Sequence, residues 1–112
     1  MAEIIKRLGA LALTTASENK VLYAKAAGSM AAISNICICN RATVAQTYSV
    51  AHVDATGTTV ANEDWIVYGA GIAANQSDFM QLGIAMSTGA EGIVVFTAST
   101  LISFSCWGSE IA

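Results

Sequence analysis

Short stretches in which apolar and polar residues alternate restrict the folds open to this chain more than any other feature of its sequence. They recur in seven or eight segments at intervals of 8–14 residues, with turn-forming residues between them. Alternation with a period of two is typical of strands that bury one face. No sustained helical pattern follows the first dozen residues. The sequence therefore predicts an all-β chain, a single-domain antiparallel β-sandwich or jelly roll of about seven to eight strands.

The clearest internal segment is residues 34–40, SNICICN. It places Ile36 and Ile38 on one face of a strand and Cys37 and Cys39 on the other. Both faces are therefore expected to be covered, as in a strand from the middle of a sheet. The two cysteines share a face and are poorly placed to pair with each other, so all three cysteines of the chain are expected to be free thiols.

Residues 101–112 (LISFSCWGSEIA) form the last predicted strand, with Ile102, Phe104 and Cys106 on one face. Gly108 is expected to end or bend this strand. The remaining strands are predicted at residues 19–25, 46–53, 64–70, 79–82, 84–86 and 92–98. Residues 92–98 and 101–111 are expected to pair as a closing hairpin.

Residues 1–17 are predicted to form an N-terminal arm or first strand, and residues 18–112 the β-sandwich domain. Ile4, Ile5, Leu8 and Leu11 have helical spacing, so a short helical turn and an extended arm both remain open. An extended arm would be able to pack against a neighbouring subunit. The apolar run after Lys6 and Arg7 is too short for a signal peptide, and no segment suits a membrane span.

A scarcity of charge limits the partners that the chain can have. Only 12% of the residues are charged, against roughly a quarter in an average protein, and the net charge is −3. Nucleic-acid binding is not expected, because no basic patch is present. Either Ser, Thr, Asn and Gln supply the solvated surface, or other subunits cover part of it.

The sequence contains no catalytic or metal-binding signature. His52 is the only histidine, and the cysteines lack zinc-ligand spacing. Asp54 lies two residues after His52, but no nucleophile motif accompanies them. We therefore predict no catalytic residue, no metal and no cofactor. The aromatic residues suit either a sugar-binding platform or anchors in a core or interface, and the second interpretation is favoured; they are Trp65, Tyr68, Phe79 and Trp107.

Four motifs carry a resemblance to a known family. They are Cys39-Asn40-Arg41, Ile72-Ala73-Ala74-Asn75, Leu82-Gly83-Ile84 and Gly108-Ser109-Glu110-Ile111. Together with the order of the strands around them, they make nearly the whole chain resemble small virion proteins of tailed bacteriophages, especially those of cyanobacterial and marine phages. The chain departs from that pattern at residues 24–28, where a proline is missing, and at Trp107, where phenylalanine is more usual.

The resemblance implies a non-enzymatic β module of the virion. The role it implies first is that of a capsid decoration (cement) protein, which is expected to bind the major capsid protein as a homotrimer on the capsid surface after synthesis in the host cytoplasm. The alternative is a tail, baseplate or fibre module that uses loops 54–59 and 87–92 for host attachment. The residues expected to contact a partner are Ile4, Ile5, Lys6, Arg7, Leu8 and Trp107.

Overall fold

Eight strands form two four-stranded antiparallel sheets in the computed structural model, which describes residues 4–26, 28–54, 57–87 and 89–111. The strands are β1 (Ile4–Ala12), β2 (Glu18–Ala24), β3 (Met30–Asn40), β4 (Gln46–Val53), β5 (Trp65–Ile72), β6 (Ser77–Met86), β7 (Gly92–Thr97) and β8 (Ile102–Ile111). A 3-10 turn at Asn62–Asp64 precedes β5. The predicted all-β sandwich is therefore confirmed.

The order of the strands is that of a jelly roll. One sheet runs β1-β8-β3-β6 and the other β2-β7-β4-β5, so every connection except β4–β5 crosses between the sheets. The predicted hairpin of residues 92–98 and 101–111 was wrong. Strand β7 pairs with β2 and β4, whereas β8 pairs with β1 and β3. Alternation assigns the faces of a strand but not its partner, and strands adjacent in sequence are neighbours only about two-thirds of the time.

The core lies between the two sheets and is built from the inward faces of the central strands. Ile36 and Ile38 are fully buried, and β3 lies between β8 and β6, as predicted for a central strand. The other residues with no exposed surface in this core are Ile33, Val50, Ile93, Val95, Ile102 and Cys106. The same alternation places Cys37 and Cys39 on the outer face, where they are half-buried free thiols.

Two local predictions are corrected by the strand bounds, and one open alternative is decided. At Ile4–Ala12, where a helical turn and an extended arm had both been left open, the structure has the edge strand β1. Residues 79–82 and 84–86 belong to one strand, β6, which continues through Gly83. Strand β8 continues past Gly108 to Ile111.

Gly108 does not end β8 but lets it approach β3 closely. A Cβ atom at this position would lie 1.9 Å from the carbonyl oxygen of Ala32. The pairing of β3 with β8 shifts register between Ile33 and Asn35, directly beside this contact. Glycine is therefore required here by the space available, and not by a turn.

Candidate functional site

The outer face of the sheet β1-β8-β3-β6 carries mostly small side chains. The strand register arranges this face in four rows. The rows are Ala12, Ser103, Cys39, Ser77; Ala10, Ser105, Cys37, Phe79; Arg7, Trp107, Asn35, Gln81; and Ser109, Ala32, Ala85. We call this surface the small-residue face. Arg7 is the only charged residue of these four rows.

Two aromatic side chains project from the small-residue face. Phe79 is 74% exposed, and Trp107 is 37% exposed. At one end of the face an apolar hollow of about 190 Å³ opens between Ala32, Ala85 and the exposed Met30. Exposed aromatics and a hollow on a face with a single charged side chain are characteristic of a surface that packs against another protein.

The residues predicted to contact a partner lie in different environments. Arg7 is exposed and pairs with Trp107 across β1 and β8, so the structure brings these two together on the small-residue face. Leu8 is half-buried and packs against the core. Lys6 forms an ion pair with Glu110 at 3.1 Å. The side chains of Ile4 and Ile5 lie outside the described residues, and partner binding by this set stays a prediction.

Glu110 also links β8 to the sheet β2-β7-β4-β5. Its carboxylate accepts a hydrogen bond of 2.5 Å from the Tyr23 hydroxyl. This bond and the contact with Lys6 lower the pKa of Glu110. Burial and the same hydrogen bond raise the pKa of Tyr23. The motif Gly108-Ser109-Glu110-Ile111 is therefore explained by packing and by this bond between sheets.

Asn40 explains why two of the recognised motifs occur together. Its side chain is 1% exposed, and its amide group donates to the carbonyl oxygens of Val44, Ile72 and Ala73 at 3.1–3.2 Å. The motif around Asn40 thus meets the motif that starts at Ile72. Asn75, in the second motif, adopts a left-handed conformation with φ of 57°. Together the two motifs join the β3–β4 connection to the β5–β6 connection at one end of the sandwich.

The only histidine lies at the end of β4, as its sequence position predicts. His52 Nε2 lies 2.8 Å from Glu91 Oε1, and Glu91 Oε2 accepts a hydrogen bond from the Ser87 backbone N–H. No cluster of three metal-ligating side chains occurs in the part of the chain that the structure describes. The glycines at 69 and 71 lie within strand β5, not in a strand-to-helix turn that would bind a dinucleotide.

A second candidate surface lies on the outer face of the sheet β2-β7-β4-β5. It is a cleft of about 250 Å³, which we call the aromatic cleft. Its lining includes Asn19, Thr47, Ser49, Trp65, Tyr68 and Phe96. The rings of Trp65 and Tyr68 meet edge to face, with centroids 5.3 Å apart. Of the four aromatic residues considered from the sequence, the structure joins these two, whereas Phe79 and Trp107 lie on the opposite sheet.

Sequence reasoning missed the rest of the aromatic cleft. Asn19, Ser49 and Phe96 come from β2, β4 and β7 and meet only through the register of the sheet. No local pattern in the sequence signals this meeting.

Among the residues that the structure describes, no helix has the length and apolar character needed to span a membrane.

Comparisons with known proteins give structural matches only. No protein-family model and no curated protein sequence matches the chain. A chain in the T13 particle of infectious bursal disease virus matches with a TM-score of 0.55 and 13% identity, over 96% of this chain and 30% of that chain. Chains from the Gx and Gt strains of the same virus match with TM-scores of 0.53 and with 12% and 11% identity. They cover 97% and 96% of this chain and 31% of each viral chain.

These matches show the fold. The present chain spans about a third of the length of the viral chains that it resembles. The jelly-roll arrangement read from the strand order is thus shared with a part of proteins found in virus particles. These three structures are of infectious bursal disease virus and not of a tailed bacteriophage, so the phage origin implied by the sequence resemblance stays a prediction.

Proposed function

We propose that this chain is a non-enzymatic structural subunit of a virus particle, and that its small-residue face packs against another virion protein. The observation that carries the proposal is the composition of that face. It presents four rows of mostly Ala, Ser and Cys side chains with one charged residue. The likeness in fold to chains of viral particles supports the same conclusion.

The size of the small-residue face suits a specific contact. Four strands spaced about 4.8 Å apart, and about eight residues long at about 3.3 Å each, give a plan area of roughly 500 Å². Two partners that each cover such an area bury roughly 1,000 Å² in total, which reaches the lower limit for a specific interface. Side chains as small as Ala and Ser let a second sheet approach closely.

In its more specific form, the proposal is a capsid decoration protein of a tailed phage. It would form a homotrimer and bind the major capsid protein, as the sequence resemblance implies. Arg7 and Trp107 belong both to the predicted contact set and to the small-residue face. Many copies bound side by side would strengthen a contact that is modest in each copy.

Light scattering of the purified protein tests self-association. We expect a mass three times that of one chain, and we expect Phe79→Lys to reduce it, because the charge would be buried in the contact. Tyr68→Lys is the matched control, because Tyr68 is similarly exposed at 77% but lies on the opposite sheet. A monomer for the unmodified chain would contradict the trimer.

Cys37 and Cys39 provide a reporter for coverage of the same face. Both thiols lie on β3, an interior strand of that sheet, so alkylation followed by mass spectrometry measures whether the face is covered. We expect slow labelling in the assembled protein and faster labelling in Phe79→Lys. Equal labelling rates in both proteins would show that the assembly uses another surface.

Immunogold electron microscopy of the virus particles that carry this chain tests its location. Label on the shell supports the decoration role. Label confined to the tail or fibres supports the alternative of a tail, baseplate or fibre module that uses loops 54–59 and 87–92. Particles without any label would refute a structural role in the virion.

A further inference from the structure

We propose that the aromatic cleft binds a single neutral pyranose ring of a glycan. This inference goes beyond the structural role proposed above and does not depend on it, because the cleft and the small-residue face lie on opposite sheets. The cleft combines exposed aromatic surface, unused polar groups and an absence of charge, and each of these features points to a sugar.

The aromatic part of the cleft is exposed and held in place. Tyr68 is 77% exposed, yet its ring is positioned by its edge-to-face contact with the half-buried Trp65. A pyranose presents C–H groups on its ring face, and such groups pack favourably on the electron-rich face of an aromatic ring. A side chain that is already oriented loses little conformational entropy on binding.

Polar groups surround this aromatic surface. The Ser49 side chain is 4% exposed, and its hydroxyl oxygen accepts a hydrogen bond of 2.9 Å from the Gly69 backbone N–H. Among the described residues, none accepts the Ser49 proton, so this hydroxyl can donate into the cleft. Asn19 donates its amide to the Thr58 carbonyl, which leaves its side-chain oxygen to accept. A buried hydroxyl and a half-buried amide oxygen that can each form a further hydrogen bond favour ligands that carry hydroxyl groups.

The lining of the cleft carries no charge among the described residues. An acidic sugar or a phosphate would lose its hydration there without gaining a cationic partner, which disfavours both ligands. A volume of about 250 Å³ falls slightly below the roughly 300–1,000 Å³ of sites for drug-sized molecules. The cleft therefore suits one neutral ring.

An adjoining groove extends the cleft for a longer glycan. This groove of about 550 Å³ shares Asn19 and Phe96 with the cleft and is lined further by Glu18 and Lys20. It is open and more polar than the cleft, as expected for a region that holds the solvated neighbour of a bound sugar. The adjoining ring would lie beside the ion pair of Lys20 and Glu18, whose charged atoms are 3.1 Å apart.

The backbone of β5 is distorted where it forms the cleft. Its pairing with β4 shifts register on both sides of Val50, so that Tyr68 and Gly69 lie opposite the single residue Ser49. Gly69 has a φ of 66°, which a glycine adopts without strain. Bulges of this kind re-aim side chains and are enriched beside functional sites. Here the bulge directs Tyr68 outward over the cleft.

Two-dimensional NMR of the full chain, labelled with ¹⁵N, provides the test. The chain has two tryptophans, so the spectrum contains two indole N–H signals, and Trp107→Phe assigns them. The probes are the methyl pyranosides of glucose, galactose, mannose and N-acetylglucosamine, each at up to about 50 mM, well above the millimolar affinity expected of so small a ligand. We expect at least one probe to shift the Trp65 indole and the Gly69 amide saturably, while the Trp107 indole stays unchanged.

Two matched variants locate the binding. Tyr68→Ala is expected to raise the dissociation constant about tenfold or more, because stacking on the ring is lost. Phe79→Ala removes a similarly exposed ring from the opposite sheet and is expected to leave the constant unchanged. Both side chains are exposed enough for their removal to leave the fold intact.

The proposal is overturned if none of the four pyranosides shifts the Trp65 indole, or if the shifts persist unchanged in Tyr68→Ala. Phenol serves as a probe for an aromatic protein side chain. If phenol shifts the cleft signals and no sugar does, the cleft receives a side chain from another protein instead. The oligomer mass and the immunogold result test the structural role and do not depend on whether the cleft binds a sugar. Either proposal can therefore be refuted without refuting the other.

Discussion

Replacing Gly108 with alanine is expected to destabilise the fold strongly. The added Cβ atom would lie 1.9 Å from the carbonyl oxygen of Ala32 and 3.1 Å from the Cα atom of Ile33. Ordinary contacts between such atoms are at about 3.5 Å, so β8 and β3 would have to separate locally by about 1.5 Å. The atoms in the way belong to the backbone and cannot turn aside as a flexible side chain would.

The cost of this separation follows from the bonds at that point. A shift of about 1.5 Å breaks about two backbone hydrogen bonds between β8 and β3, each contributing about 1 kcal/mol. Overpacking adds about 1–3 kcal/mol. The total, roughly 3–5 kcal/mol, is a large fraction of the roughly 5–15 kcal/mol that stabilises a typical domain. We expect the melting temperature to fall by about 10–25 °C.

Urea denaturation followed by circular dichroism measures this loss. Gly83→Ala is the matched control, because no atom lies within 4 Å of the added Cβ in strand β6. That variant should be as stable as the unmodified chain or up to about 1 kcal/mol more stable. The reasoning would be refuted if Gly108→Ala unfolded within about 0.5 kcal/mol of the unmodified chain with the same dependence on urea.

Burial and the hydrogen bond to Asp78 raise the pKa of Tyr48 from its ordinary value of 10.0 to about 12. The stabilisation that protonated Tyr48 gives the folded state is complete below pH 10 and is lost as the pH rises from 10 to 12. The free energy of unfolding should therefore fall by about 2 kcal/mol over this range. In urea titrations, Tyr48→Phe should show a weaker dependence of the unfolding free energy on pH. Burial also raises the pKa of Cys106 to about 11. Because Cys106 is fully buried, mass spectrometry should show its alkylation only after unfolding, in Phe79→Lys as well as in the assembled protein. Asn40→Asp should cost about 3 kcal/mol or more, measured by urea denaturation, because a carboxylate would then face three carbonyl oxygens.

Each of these three expectations has an outcome that contradicts it. An unfolding free energy that stays constant between pH 10 and 12 would show that Tyr48 ionises without penalty. Labelling of all three thiols at one rate in the folded protein would show that Cys106 is accessible. An Asn40→Asp variant as stable as Asn40→Ser would show that the loss comes from missing bonds, not from repulsion between oxygens.

The sequence predicted the inward face of the central strands because burial there follows strict alternation. Ile36 and Ile38 lie on the core side of β3, and Ile102, Phe104 and Cys106 lie on the core side of β8. The alternation did not reveal which strands pair, because it is the same whichever strand lies alongside. For this reason β7 and β8 were wrongly joined in one sheet.

The aromatic cleft lay beyond local prediction for a related reason. Trp65 and Tyr68 are three residues apart, which places them on opposite faces of a regular strand. The irregular pairing of β5 with β4 brings both side chains to the outer face. A bulge is set by how two strands fit together, so neither segment reveals it alone. The glycine at position 69 was its only trace in the sequence.

The central position of β8 has a consequence for the order in which the protein folds. It is the last of the eight strands to leave the ribosome, yet it lies between β1 and β3, the first and third. Until β8 has been synthesised, β1 and β3 lack the strand that lies between them, and the sheet that carries the small-residue face cannot form in full. Folding of this sheet therefore follows synthesis of β8, and pairing between strands so distant in the chain is slow. A chain that stops before β8 cannot present the small-residue face, which keeps incomplete copies out of any assembly that recognises it.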